Sequence, residues 1–187
     1  MRALLCLSLF LAACATPIRS TVDGYGEAPL SRSAPLFFDR EASPLAEKPI
    51  ADSCREAARD NKIPVSASLC PDCKRVEVHS RLAGTSQAVS SSGPSFGTSI
   101  GFGVGGGTGL GFGLGSGNTR SQPETERVID IGVFEGKKLL RTITARSLGR
   151  DNSVSAVAYE MCSAAFRDYP ENLRGKEYAV KPGEKPE

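Results

Sequence analysis

Between residues 74 and 84 the chain alternates between apolar and polar side chains. Val76, Val78, Ser80 and Leu82 fall on one side, and Arg75, Glu77, His79 and Arg81 on the other. A period of two over that length predicts a strand with one covered face. The same period runs through ERVIDIGVFEGKKLLRTITARS. There Ile129, Ile131 and Val133 share a face, a turn falls at Glu135-Gly136, and Leu139, Ile143 and Ala145 share a face on the return. The apolar run in PLFFDR (Pro35–Arg40) predicts a further short strand.

Two segments follow the helical period instead. In EKPIADSCREAARDNK, Pro49 suits a first turn, and Ile50, Cys54, Ala57 and Ala58 lie on one face. Asn61 and Pro64 supply the stop. In DNSVSAVAYEMCSAAFRDYP, Asp151, Asn152 or Ser153 can cap a helix. Its apolar face is traced by Val154, Val157, Ala158, Met161, Cys162, Ala165, Phe166 and Tyr169, with Pro170 just past its end.

The stretch GTSIGFGVGGGTGLGFGLGSG also keeps a period of two. Phe96, Ile100, Phe102 and Val104 share one side of the first arm; after a glycine turn, Leu110, Phe112 and Leu114 share one side of the second. Glycines occupy almost all the alternate positions, so the pattern predicts a hairpin over 95–117 with one apolar and one bare face. Two chemical motifs hide in it. Gly101, Gly103 and Gly106 spell a phosphate-loop pattern, and Ser99 sits in G-x-S-x-G. Both require a following helix. Each glycine costs about 1 kcal/mol in a helix, so none starts there.

The predicted order is strand, helix, strand, glycine-rich hairpin, strand, strand, helix. Short turns make the sheet antiparallel. Two one-sided helices then pack on one of its faces, giving an α+β fold.

The N-terminus adds a destination. Arg2 is followed by an apolar run to Ala13, shorter than the about 20 residues a membrane-crossing helix needs. Such a segment reads as a secretory signal. It ends in Leu11-Ala12-Ala13-Cys14, which resembles the lipobox of bacterial lipoproteins. That resemblance implies cleavage after residue 13 and acylation of Cys14. Ala15 stands where a retention Asp would, which implies the outer membrane and a periplasm-facing protein. Residues 14–34, rich in Pro, Ser, Thr and Gly, read as a lipidated tether. Residues 35–173 form the domain, and 174–187 read as a flexible tail.

Composition narrows the function. Lys and Arg number 23 against 21 Asp and Glu, so no large field attracts nucleic acid. Trp is absent, and the core must come from Val, Ile, Leu, Phe and Ala. Of six cysteines, Cys6 leaves with the signal and Cys14 takes lipid. Cys54, Cys70, Cys73 and Cys162 remain, an even set suited to two disulfides in an oxidising compartment. Three pairings exist. A Cys70–Cys73 loop bond and a Cys54–Cys162 bond between the apolar faces of the two helices are favoured, with a link from the CPDC turn to a helix as the alternative. A zinc site would normally draw on two C-x-x-C pairs, and only one is present. The CPDC pair precedes a strand, whereas redox pairs sit at helix N-termini. His79, the lone histidine, falls on the polar side of its strand. Asp130, Glu135, Glu124 and Glu126 read as solvated carboxylates.

The strand–helix opening, the Gly/aromatic hairpin, RVIDIGVFEGKKLLRTITAR and the closing FRDYPENL together resemble the uncharacterised domain of unknown function 4136 family of small bacterial lipoproteins. The likeness runs from about Pro35 to Leu173. No Trp follows KKLL, and the CPDC pair is an addition to the pattern. The resemblance implies fold and location, with no established activity.

The expected function is therefore non-catalytic: a binding or scaffolding protein anchored in outer-membrane lipid, with an envelope protein or a second copy as partner and no cofactor or metal. One alternative is a self-assembling subunit. Ten residues from Ser95 to Val104 span about 33 Å when extended and, tilted by about 45°, rise ~24 Å, near the ~25 Å apolar band of an outer-membrane barrel. The enzyme alternative is a thiol–disulfide oxidoreductase using Cys70 and Cys73.

Overall fold

The computed structural model describes residues 16–26, 30–41, 43–88 and 122–186. In chain order these form β1 (Ile18–Gly26), β2 (Leu36–Phe38), α1 (Lys48–Asp60), β3 (Lys74–Ala88), β4 (Gln122–Glu135), β5 (Lys138–Gly149), α2 (Ala158–Arg167) and β6 (Leu173–Val180). The strands make one six-stranded sheet in the order β2-β3-β4-β5-β1-β6. β5 pairs antiparallel with β4 and with β1, and β1 pairs antiparallel with β6. β2 and β3 are parallel and are joined through α1, the crossover that a parallel pair needs. The fold is α+β, a mixed sheet with two helices. The chain divides into two units, one of residues up to Gly84 together with Thr125 onward, the other Thr85–Glu124.

One apolar core joins the sheet to the helices. Val76 and Val78 of β3, Ile129, Ile131 and Val133 of β4, and Ile143 and Ala145 of β5 face Ile50, Cys54, Ala57 and Ala58 of α1 and Met161, Cys162 and Phe166 of α2. Each large side chain buried in this way contributes about 1.5–3 kcal/mol. α2 was expected to bury one face; it is buried almost all round, from Ala158 through Phe166 except at Tyr159. The sheet covers one side and α1 another, where the amide of Asn61 reaches the carbonyl and hydroxyl of Ser163 at 3.4 Å. The helix begins later than its candidate caps. Ser153 Oγ accepts the Ala156 N–H and so caps a short 3-10 turn (Ser155–Val157) ahead of α2.

Two expectations about the chain ends are corrected. The stretch read as a tether holds β1, which lies between β5 and β6. Its inward positions are Ser20, Val22 and Gly24, so only one of the three is a large apolar residue and the period is hidden. Gly26 is required by close approach, since a Cβ there would lie 2.7 Å from the Leu140 carbonyl. The stretch read as a flexible tail holds β6. Its inward residues are Leu173, Tyr178 and Val180, whose parity changes across a bulge at Gly175, where φ is +57°. Asp23 Oδ1 accepts the Gly175 N–H at 2.7 Å and fixes that bulge.

A second bulge moves Leu139. Val133 pairs with Arg141 and Phe134 with Leu139, so Leu140 is the extra residue of β5. Leu140 is buried, whereas Leu139 is half exposed beside Phe134, on the opposite face from Ile143.

Candidate functional site

Four of the sequence-predicted site residues form two bonded pairs. Cys54 of α1 and Cys162 of α2 are fully buried and joined, with Cα atoms 5.0 Å apart. Cys70 and Cys73 are joined across the Pro71-Asp72 turn, where the Cys73 N–H donates to the Cys70 carbonyl at 3.0 Å. The next residue, Lys74, enters β3 and donates its N–H to Pro35. The CPDC turn thus precedes a strand and receives no helix dipole, the usual device for lowering a thiol pKa. Cys14 and the hairpin positions Phe96, Ile100, Phe102, Val104, Leu110, Phe112 and Leu114 lie outside the described residues, as does Ser99.

His79 lies about half exposed on β3, with Nδ1 3.5 Å from Glu47 Oε2. The other oxygen of Glu47 accepts the Ser80 N–H at 2.9 Å and its hydroxyl at 3.3 Å. β2 pairs with β3 only from Lys74 to Val76, so the Glu47 carboxylate takes up a backbone donor that no strand reaches.

Three of the carboxylates read as solvated are ion-paired. Asp130 accepts from Arg81 at 3.2 Å and from the Thr144 hydroxyl at 2.7 Å. Glu135 pairs with Lys74, whose ammonium hydrogen bond holds that carboxyl below its ordinary range. Glu126 lies 4.0 Å from Arg146, which also bonds Asp23 at 2.8 Å. The Asp130 and Glu126 pairs lie on the face of the sheet opposite the helices, and the Lys74–Glu135 pair lies at the strand ends.

Two arginines sit on the helix-covered face. Arg127 donates to the Ser147 hydroxyl and the Leu148 carbonyl, and Arg141 donates to the Glu171 carbonyl at 2.8 Å. Burial pushes both guanidinium pKa values down. The nearby phenol of Tyr169 is pushed up to about 12, chiefly by burial.

A polar cleft lies where α1 and α2 end. Arg32 ties the two ends together: one guanidinium nitrogen donates to the Arg167 and Tyr169 carbonyls and the other to Asn61. The cleft opens beside it, about 650 Å³ in volume and lined by Arg32, Asn61, Lys62, Arg167, Glu184 and Lys185. On one side Lys185 pairs with Asp60 at 3.4 Å. Asp60 is held below its ordinary range, first by the Tyr159 hydroxyl, which donates to it at 2.7 Å, and then by Lys185. Tyr159 is pushed up, by burial and by that carboxylate. Sequence reasoning missed this cleft because its residues come from four separate stretches. The one local signal was a lysine at the position after the helix cap, where glycine is usual.

Fold and sites together define a small α+β domain whose helix pair is clamped by a disulfide. No family model matches the chain, and no curated protein matches it in sequence. Among solved structures it is similar to a PDZ domain protein from Parabacteroides distasonis, at 7% identity and a TM-score of 0.49 over 92% of this chain. The chain spans 40% of that protein's length. It is also similar to the PelC dodecamer from Paraburkholderia phytofirmans, at 11% identity and a TM-score of 0.40, over 79% of this chain and 96% of that one.

Proposed function

We propose that this protein is a lipid-anchored component of the bacterial outer membrane, facing the periplasm, with a non-catalytic binding or scaffolding role. The observation that carries the reading is Leu11-Ala12-Ala13-Cys14 behind a basic, apolar start. The bonded pairs Cys54–Cys162 and Cys70–Cys73 support it, because such bonds persist in an oxidising compartment. Membership of the lipoprotein family resembled above belongs to the same proposal.

β1 sharpens the picture. From Cys14 to Ile18 is four residue steps, a reach of about 14 Å at most. An anchored protein then holds its sheet close to the lipid surface instead of swinging on a long tether. Fractionation of cells carrying the wild type and Cys14→Ala is the test. The wild type goes with the outer membrane and the variant is soluble in the periplasm. A wild type that stays in the cytoplasm removes the proposal.

A second reading rests on the period-two pattern of 95–117: a subunit that self-assembles or inserts through that segment. The mass of the lipidated protein in mild detergent, with and without Ser95–Gly117, tests it. A ring-sized oligomer that collapses on deletion favours it; a monomer in both removes it.

A further inference from the structure

We propose that the cleft at the ends of α1 and α2 binds a small hydrophilic anion, in class a phosphorylated or carboxylated sugar. Charge accounting comes first. Each helix C-terminus carries about half a negative charge, roughly one charge for the two. Arg32 meets that need, with its guanidinium on carbonyls from both ends. Lys185 is met by Asp60. Lys62 and Arg167 remain, facing the same cleft. Among the described residues neither donates a side-chain hydrogen bond or forms an ion pair; Arg167 lies 6.0 Å from the Tyr178 ring and its charge also acts on Asp168. The single carboxylate in the lining is Glu184, and one of its oxygens accepts the Lys181 N–H. The described lining therefore holds four cations, Arg32, Lys62, Arg167 and Lys185, against one carboxylate.

Lys62 is the second observation. It is the one non-glycine residue with positive φ among the described residues, at 62°. The Lys62 N–H donates to Arg59 and the Ile63 N–H to Ala58, the helix-ending motif whose left-handed position glycine normally fills. A side chain is disfavoured in that conformation, and among the described residues the Lys62 ammonium holds no hydrogen-bond or ion-pair partner. The strained position presents a cation to the cleft.

The volume and lining set the ligand class. About 650 Å³ is the size of a small-molecule site. Its walls are mainly charged and amide groups with Pro186 beside them, which suits hydroxyls and an anionic group better than an acyl chain. The inference is independent of whether Cys14 is acylated.

The test uses the full chain and two probes, glucose 6-phosphate and galacturonate, with glucose as the neutral control, followed by NMR or calorimetry at low salt. The expected result is saturable one-to-one binding of the anionic sugars and none of glucose. Lys62→Gly and Arg167→Gln each weaken binding about tenfold, the effect of losing one charge-assisted hydrogen bond. Lys62→Gly also raises Tm by about 2–4 °C, so its loss of binding is separated from misfolding. Lys137→Gln, in the exposed β4–β5 turn, leaves binding unchanged. The proposal is overturned if no anionic sugar binds saturably at millimolar concentration, if glucose binds equally, if Lys62→Gly binds like the wild type, or if Lys137→Gln weakens binding as much as the cleft variants.

Discussion

The helix pair and the turn ahead of β3 are each closed by a disulfide whose Cα atoms stand 5.0 Å apart, yet the two bonds constrain different things. Cys54–Cys162 joins residues 108 apart in sequence, buried between α1 and α2 where both meet the core. Cys70–Cys73 joins residues three apart in a turn that already holds its own backbone hydrogen bond. The first restricts most of the unfolded chain, and the second restricts almost none of it. The difference teaches that the same covalent chemistry sets the stability of one region and only the local shape of the other.

The largest effect expected from breaking this contrast is at the helix pair. Loop entropy alone gives a bond of that span about 5 kcal/mol, a large fraction of the roughly 5–15 kcal/mol of a typical domain. Cys54→Ala/Cys162→Ala is expected to lower the denaturant midpoint strongly or to unfold the protein at 37 °C. The Cys70–Cys73 bond closes a far shorter loop, so Cys70→Ser/Cys73→Ser is expected to cost about 2 kcal/mol at most. Equal losses from the two double variants would show that loop length does not govern the difference. The same turn variant separates the binding reading from the oxidoreductase alternative: unchanged reactivity toward a disulfide substrate removes the enzyme.

A smaller effect sharpens the comparison by pH. Asp60 closes α1, and Asp168 follows α2, where it accepts from Lys176 and from the Tyr178 hydroxyl at 2.6 Å. Both carboxyls are held below their ordinary range, Asp168 first by the Lys176 hydrogen bond and Asp60 first by that of Tyr159. A depressed folded pKa gives stability that is present above the unfolded value, about 3.9, and lost as pH falls through the folded one. The helix ends therefore loosen below about pH 4. Asp60→Asn/Asp168→Asn flattens that acid limb and costs under about 1 kcal/mol at neutral pH, since both groups are partly solvated. An acid limb as steep as the wild type would contradict it. Midpoints measured across pH decide the matter.

What the sequence showed and hid follows the same physics. β3, β4 and α1 announce themselves through apolar periods; the Cys54–Cys162 pair was favoured by the faces its cysteines occupy and the Cys70–Cys73 pair by its place ahead of a strand, and both are bonded. β1 was hidden because Ser20 and Gly24 take inward positions that apolar residues would mark. β6 was hidden because the bulge at Gly175 breaks its parity, and the bulge at Leu140 turned Leu139 outward in the same way. A bulge is set by the partner strand, so a window along one strand does not reveal it. The cleft was hidden for a related reason: Arg32, Lys62, Arg167 and Lys185 meet only after α1, α2 and the chain end have packed.

The most direct test of the central claim is the mass of the N-terminal peptide from the full-length protein made in a Gram-negative cell. The account predicts a chain that begins at Cys14 and carries a diacylglyceryl group and an amide-linked acyl chain. A peptide that begins at Met1, or one cleaved elsewhere with an unmodified Cys14, would contradict it.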